Sequence, residues 1–178
     1  MTSATQTILD DILDWCFKNT KISESVGKDK NGYQVNLIHY AAEKGYTQVV
    51  KKLVDCGIDV NLPAPNFHKM SPLHYASKNG HLEITKLLLQ KGANVNSQDY
   101  RKQTPIHLAS VYGQLEVAKL LLERGANINS QNNNQDAPLY RAAFRGQTEI
   151  VKLLLENGCD MDQRLTKLAV EYAFSVNF

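Results

Sequence analysis

The sequence predicts an all-α solenoid, in which short helix pairs stack side by side. Three observations predict it. The stretch SPLHYASKNGHLEITKLLLQKGANVNSQ, Ser71 to Gln98, returns 33 residues later as TPIHLASVYGQLEVAKLLLERGANINSQ, Thr104 to Gln131. Gly45, Gly80, Gly113 and Gly146 are each followed 12 residues later by Gly57, Gly92, Gly125 and Gly158. His39, His74, His107 and Tyr140 stand six residues before the first glycine of each pair, at spacings of 35, 33 and 33. A fixed period in this range marks a stacked repeat.

Taken in chain order, residues 1–32 lie outside the period. Ile8, Leu9, Ile12, Leu13 and Cys16 have helical spacing with acidic residues between them, and Ser3 or Thr5 offers a cap. This segment reads as a helix that caps the stack, with ISESVGKDKNG returning the chain to the first repeat. Four repeats follow over residues 33–164, at about 33–62, 68–97, 101–130 and 134–163. The third shows the logic of all four. Thr104 is a good N-cap and Pro105 suits the first helical position, so a helix runs from about Pro105 to Tyr112. Gly113 breaks it. A second helix follows from about Leu115 to Arg124, and Gly125 sits where a left-handed cap is expected. ANINSQN then reads as an extended turn or hairpin. Helices this short are marginal alone. Ile106, Leu108, Ala109, Leu115, Val117, Leu120 and Leu121 cannot all be buried within one pair, so stacking must bury them. Residues 165–178 read as a last capping helix, in which Leu165, Leu168, Ala169 and Tyr172 cover the fourth repeat. Val170, Phe174, Val176 and Phe178 are left with little to pack on, whereas a terminal repeat usually turns a polar face outward. The expectation is a chain that continues into a longer protein, or an end that binds something.

Composition excludes several functions. A formal net charge of +2 gives no global field for nucleic acid, and the basic residues are not interleaved along one groove. No apolar run approaches the ~20 residues of a membrane span. The acidic N-terminus is not a signal peptide. Cys16, Cys56 and Cys159 have no metal or redox spacing, which points to a cytoplasmic setting. A monomer is expected.

Ser71–Asn96 and Thr104–Asn129 resemble the ankyrin repeat in nearly every position of its pattern: a T-P-L-H-x-A segment, a glycine six residues past the histidine, then L-L-L-x-x-G-A-x-V-N. Asn36–Asn61 and Ala137–Asp162 match more loosely. The resemblance implies two antiparallel helices per unit with a β-hairpin projecting between units, and a concave face made of hairpin tips and first helices. Several departures stand out. Asn36-Leu37 replaces Thr-Pro in the first copy, and the loop DKNGYQV before it is two residues long for the pattern. NLPAPNFHKMS is also two residues longer than its counterparts, and Pro63 and Pro65 stiffen it. Ala137 replaces the capping threonine, a loss of about 1 kcal/mol, and Tyr140 replaces the histidine.

The histidine row invites a zinc reading. Stacked repeats lie ~8–10 Å apart, too far for rings to share one metal. The resemblance instead implies that this histidine ties its helix to a neighbouring loop. Glu83/Lys86, Glu116/Lys119 and Glu149/Lys152 read as surface pairs. No histidine is placed to activate a cysteine, and no G-x-x-x-x-G-K-[ST], H-E-x-x-H or G-x-S-x-G motif occurs. The chain is therefore expected not to be an enzyme and to need no cofactor or metal. Asn61, Asn96 and Asn129 stand where related repeats are substrates of an asparaginyl hydroxylase, although asparagine is also simply a good turn residue.

The resemblance places partner contacts on the loop tips and at the ends of the first helices. Those positions are Tyr33 and Lys44 in the first repeat; Phe67, His68, Met70 and Lys78 in the second; Tyr100, Arg101, Gln103, Val111 and Tyr112 in the third; and Asn134, Asp136, Phe144 and Arg145 in the fourth. Phe67, Tyr100, Tyr112 and Phe144 are large apolar groups that packing does not demand, and interfaces favour such side chains. Lys69, Lys78, Arg101, Lys102, Arg141 and Arg145 add positive charge. The expected partner is a protein with an extended or helical segment, acidic at its edges and apolar at its centre. The expected function is a non-catalytic protein-interaction module. Its role is that of a regulatory subunit or of a host-targeted effector acting in host cytosol, the latter suggested by 15 lysines against 5 arginines and by the SQNNNQ loop. The alternative is the targeting portion of a larger protein whose enzymatic domain lies beyond residue 178.

Overall fold

The computed structural model describes residues 26–28, 32 and 34–160. The expected N-terminal helix, the C-terminal helix and Tyr33 lie outside the described residues. Within them, glycine and proline punctuation divides the chain into helix pairs: α1 (Leu37–Lys44) with α2 (Thr47–Asp55), α3 (Pro72–Asn79) with α4 (Leu82–Gln90), α5 (Pro105–Val111) with α6 (Leu115–Glu123), and α7 (Pro138–Phe144) with α8 (Thr148–Glu156). The first helices pack closely on one another, α1 on α3, α3 on α5 and α5 on α7, while successive second helices touch less. That difference curves the stack toward the first-helix side. Ile38, Leu73, Ile106 and Leu139 from the first helices and Leu53, Ile84, Leu88, Leu121, Ile150 and Leu154 from the second fill one continuous core. Leu115 and Leu120 are only half-buried.

The fold departs from expectation in its loops. Only the loop before α1 forms a strand ladder among the described residues, β1 (Val26–Lys28) antiparallel to β2 (Gln34–Asn36), with Gly27 opposite Val35. Its first strand lies in ISESVGKDKNG, the stretch expected to return the chain to the first repeat. The later loops are tight turns rather than projecting hairpins. Each is closed by a side chain that competes with the ladder for backbone N–H groups. Asp99 Oδ1 accepts the N–H groups of Arg101 and Gln103, both at 2.8 Å. Asn132 Oδ1 accepts those of Asn134 at 2.8 Å and Asp136 at 3.0 Å. Asn66 Oδ1 accepts that of His68 at 3.0 Å. Lys69, Lys102 and Gln135 then take left-handed backbone at φ 52°, 57° and 62°. In the longer loop between the first two repeats the additional residues, with exposed Pro63 and Pro65, precede this same turn.

Histidines join each repeat to the next loop. His74 Nδ1 accepts the Ser71 N–H at 3.1 Å and the Ser71 hydroxyl at 2.8 Å, within a reciprocal capping box. The proton therefore sits on Nε2, which donates to the Gln103 carbonyl at 2.9 Å. His107 repeats the arrangement with Thr104 and donates to Asp136 O at 3.0 Å. His39 donates to Leu62 O at 2.8 Å, but Asn36 supplies no hydroxyl for its Nδ1. Ala137 caps α7 with no side-chain bond.

A second ladder runs along the helix–helix turns. In the second, third and fourth repeats the residue after the first glycine reaches back one repeat: His81 Nε2 to Glu43 O at 2.9 Å, Gln114 Nε2 to Lys78 O at 3.2 Å, and Gln147 Nε2 to Val111 O at 3.4 Å. A third ladder uses the loop asparagines. Asn61 Nδ2 donates to Gly92 O at 3.1 Å while its Oδ1 accepts the Asn94 N–H at 2.7 Å. Asn96 does the same with Gly125 O at 3.1 Å and the Asn127 N–H at 2.8 Å, and Asn129 Oδ1 accepts the Asp160 N–H at 2.9 Å.

Two predictions follow from these ladders. Gly80 is left-handed at φ 76° and a Cβ there would collide with the Gln114 side chain, whereas Gly125 at φ 83° opens onto free space. Both alanine variants pay the left-handed cost of about 1–2 kcal/mol, and Gly80→Ala also loses the Gln114 bond, about 1 kcal/mol more. Urea melts should show this difference, and it should vanish in a Gln114→Ala background. Secondly, burial lowers His39, His74 and His107 from 6.5 to about 4, and for His74 its neighbours His107 and His39 push the same way. Each histidine is neutral when folded, so its contribution is complete above pH ~6.5 and is lost as pH falls toward 4, at about 1.4 kcal/mol per pH unit per histidine. Asp99, raised by burial, opposes this weakly at the acid end of the range. Urea midpoints measured from pH 7.5 to 4.5 should drop steeply below 6.5.

Candidate protein-binding face

The loops stand beside the open faces of the first helices because two backbone bonds tie loop to loop. Tyr100 N–H donates to His68 O at 3.0 Å, and Asn133 N–H donates to Arg101 O at 2.8 Å. The tips of the second, third and fourth repeats therefore form one edge. Below that edge lie three adjoining hollows. The first is lined by His68, Lys78, Tyr100, Arg101 and Tyr112 among others. The second shares Tyr100, Arg101 and Gln103 with it and adds Asn133, Asn134 and Arg141. The third shares Asn134 and Arg141 with the second and reaches Tyr140 and Phe144. Together they make a groove across three repeats.

The expected contact residues divide sharply on this face. Phe67, Tyr112 and Phe144 are 55, 47 and 53% exposed, a large unburied area for aromatic rings. Lys44, Arg101, Asn134 and Arg145 are exposed, and His68, Lys78, Tyr100 and Gln103 are half-buried. Met70, Val111 and Asp136, expected among the contacts, are only 8, 6 and 5% exposed. Met70 belongs to the core cluster. Val111 ends α5, with its carbonyl accepting from Gln147. Asp136 anchors the fourth loop. These three serve the fold and present little to a partner.

Phe67, His68 and Tyr100 form one aromatic cluster, with His68 3.9 Å from Phe67 and 5.1 Å from Tyr100 between ring centroids. It packs one loop on the next, so Tyr100 is partly structural. Cations lie over several rings: Lys78 Nζ 5.3 Å from the Tyr112 centroid, Arg101 5.1 Å from Tyr100, and Lys44 Nζ 5.5 Å from Tyr40. Phe144 stacks on Tyr140 at 6.2 Å. Lys44 and Arg145 do not line the groove.

The exposed charge on this face is one-sided. Glu43, Asp99 and Asp136 are buried. Asp99 is spent on its own loop amides. Burial pushes its carboxyl up, while those hydrogen bonds and Arg101 pull it down. Asp136 lies 3.7 Å from Arg141. The exposed charges are those of Lys44, Lys69, Arg101, Lys102 and Arg145. Outside the groove, Glu116–Lys119 and Glu149–Lys152 are exposed pairs on second helices. Among the described residues no group of three histidine, cysteine, aspartate or glutamate side chains is arranged to hold a metal, and no helix is long and apolar enough to cross a membrane. Cys56 is exposed, and burial raises the Cys159 thiol.

Asn66, Asp99 and Asn132 were not recognised from sequence as the residues that shape this face. Their common spacing of 33 residues, in phase with the histidines, is the signal that finds them.

A family model of ankyrin repeats matches the sequence three times, over residues 9–99, 38–132 and 98–164. The chain belongs to the ankyrin-repeat family, whose members generally mediate protein–protein interaction and are typically not enzymes. A comparison with curated proteins finds no match.

Proposed function

We propose that this chain is a non-catalytic interaction module that holds a segment of a partner protein on its concave face, in the groove across the second, third and fourth repeats. The observation that carries this reading is the pairing of unburied aromatic side chains with exposed charges of one sign on the face toward which the stack curves. Exposed apolar area of this kind marks contact surfaces, and tyrosine and arginine are favoured where binding energy concentrates. The partner segment carries apolar and acidic side chains. Its role is that of a regulatory subunit or of an effector acting on a eukaryotic host protein in the cytosol, the latter suggested by the lysine-rich composition and the SQNNNQ loop.

Tyr112→Ala combined with Phe144→Ala tests the face. Both rings are about half exposed, so the melting temperature should fall by only a few degrees. Affinity capture from eukaryotic lysate, read by mass spectrometry, should recover a partner with the wild type and lose it with the double variant. Equal capture by both proteins would move the site elsewhere. A large loss of stability would show the rings to be core.

A further inference from the structure

We propose that the polar hollow between the loops of the third and fourth repeats, framed by Arg101 and Arg141, binds one carboxylate side chain of the partner segment. This rests on the concave-face reading above and assigns a chemistry to one part of it.

Arg141 carries the argument. It sits midway along the seven-residue α7 with its side chain 23% exposed, and Nη1 lies 3.7 Å from Asp136 Oδ2, long for a hydrogen bond. Nε is buried and has no hydrogen-bond partner among the described residues. A guanidinium has five N–H donors in one plane. Leaving Nε unpaired in a buried position is costly, and such a group calls for a ligand or water. Arg141 lines both the middle hollow and the one beside Phe144.

Arg101 faces the same hollow from the third loop. Its guanidinium is held over the Tyr100 ring and its Nε donates to the Tyr100 hydroxyl. The backbone around it is fixed by the bond to Asn133 and by Asn133 Nδ2, which donates to Tyr100 O at 3.2 Å. The side-chain amides of Gln103, Asn133 and Asn134 complete the lining. The site is thus built of directed donors on loops that are already held in place.

The local charge selects the anion. The buried carboxylates of Asp99 and Asp136 offset much of the two guanidiniums' charge. An incoming group is then met by oriented N–H donors more than by surplus positive charge. That suits a singly charged carboxylate, which a guanidinium can bind through two parallel bonds. A phosphate, carrying nearly two charges, would be under-compensated. The adjoining hollows are aromatic, with Tyr112 under Lys78 on one side and Tyr140 stacked on Phe144 on the other. The groove therefore reads an acidic residue flanked by apolar ones, the reverse of the order expected from the sequence.

The test is selection of a random dodecapeptide library displayed on phage against the full chain, followed by binding of labelled synthetic copies. The selected peptides should carry aspartate or glutamate between apolar residues. Replacing that acid by its amide should weaken binding to the wild type about tenfold, the scale of a charge-assisted pair. The same replacement should change binding to Arg141→Gln or to Arg101→Gln far less. The exposed position of Arg101 makes that second variant a control for folding. Peptides without an acidic preference, or an amide effect that is the same in all three proteins, would overturn the proposal while leaving the face intact. Tighter binding when phosphoserine replaces the acid would overturn the choice of carboxylate. Undiminished binding of the same peptides to the Tyr112→Ala, Phe144→Ala protein would instead contradict the concave-face reading itself.

Discussion

The loops of the third and fourth repeats, on the face proposed to bind a partner, are each held by a histidine that belongs to the repeat before. His74 donates to the loop of the third repeat and His107 to the loop of the fourth. Both rings are fully buried and neutral, and their other nitrogen caps the helix that carries them. One side chain thus starts a helix and positions a neighbour's loop. The Gln114 and Asn96 ladders add the same kind of link at the other two corners of the repeat. No helix among the described residues exceeds nine residues, too short to persist alone in water. Stability and the shape of the face are therefore properties of adjacency, not of any single repeat.

That dependence explains why the sequence was legible in some places and not in others. Helix boundaries came out within a residue in the third repeat, because Thr104-Pro105, Gly113 and Gly125 are local signals whose chemistry does not need a neighbour. The core also followed from the period. The contact residues were harder. Met70, Val111 and Asp136 occupy positions that the repeat pattern leaves variable, yet their burial depends on which residues the adjacent repeat and loop present. The loops misled for a related reason. ANINSQN reads as a hairpin by composition, but the Asx residues Asp99 and Asn132 take the backbone N–H groups that a ladder would use. Tyr100 shows the limit most clearly. It reads as a free aromatic anchor and in the fold is wedged beneath Phe67 and His68.

The electrostatics of the face come from the same economy of loop structure. Asp99 faces inward because its carboxylate closes a turn, and buried Asp136 sits against Arg141. What remains at the surface is cationic, set among rings that packing leaves half uncovered. A chain of nearly balanced composition, with a net charge of only +2, thereby exposes charges of one sign on this face while its carboxylates lie buried. Composition averages over the molecule and cannot show this; the fold separates the charges by burying one kind.

The measurement that tests this account most directly is amide hydrogen exchange on His107→Leu. The substitution removes both nitrogens while keeping an apolar side chain of similar bulk. If the histidine holds the next loop, the amides of Asn134, Gln135 and Asp136 should exchange at least about tenfold faster, the loss of one net hydrogen bond. The loop at Arg101–Gln103, held by His74, should keep its protection. Unchanged exchange in the fourth loop, or an equal rise in both loops, would contradict the claim that each repeat holds its neighbour's loop in place.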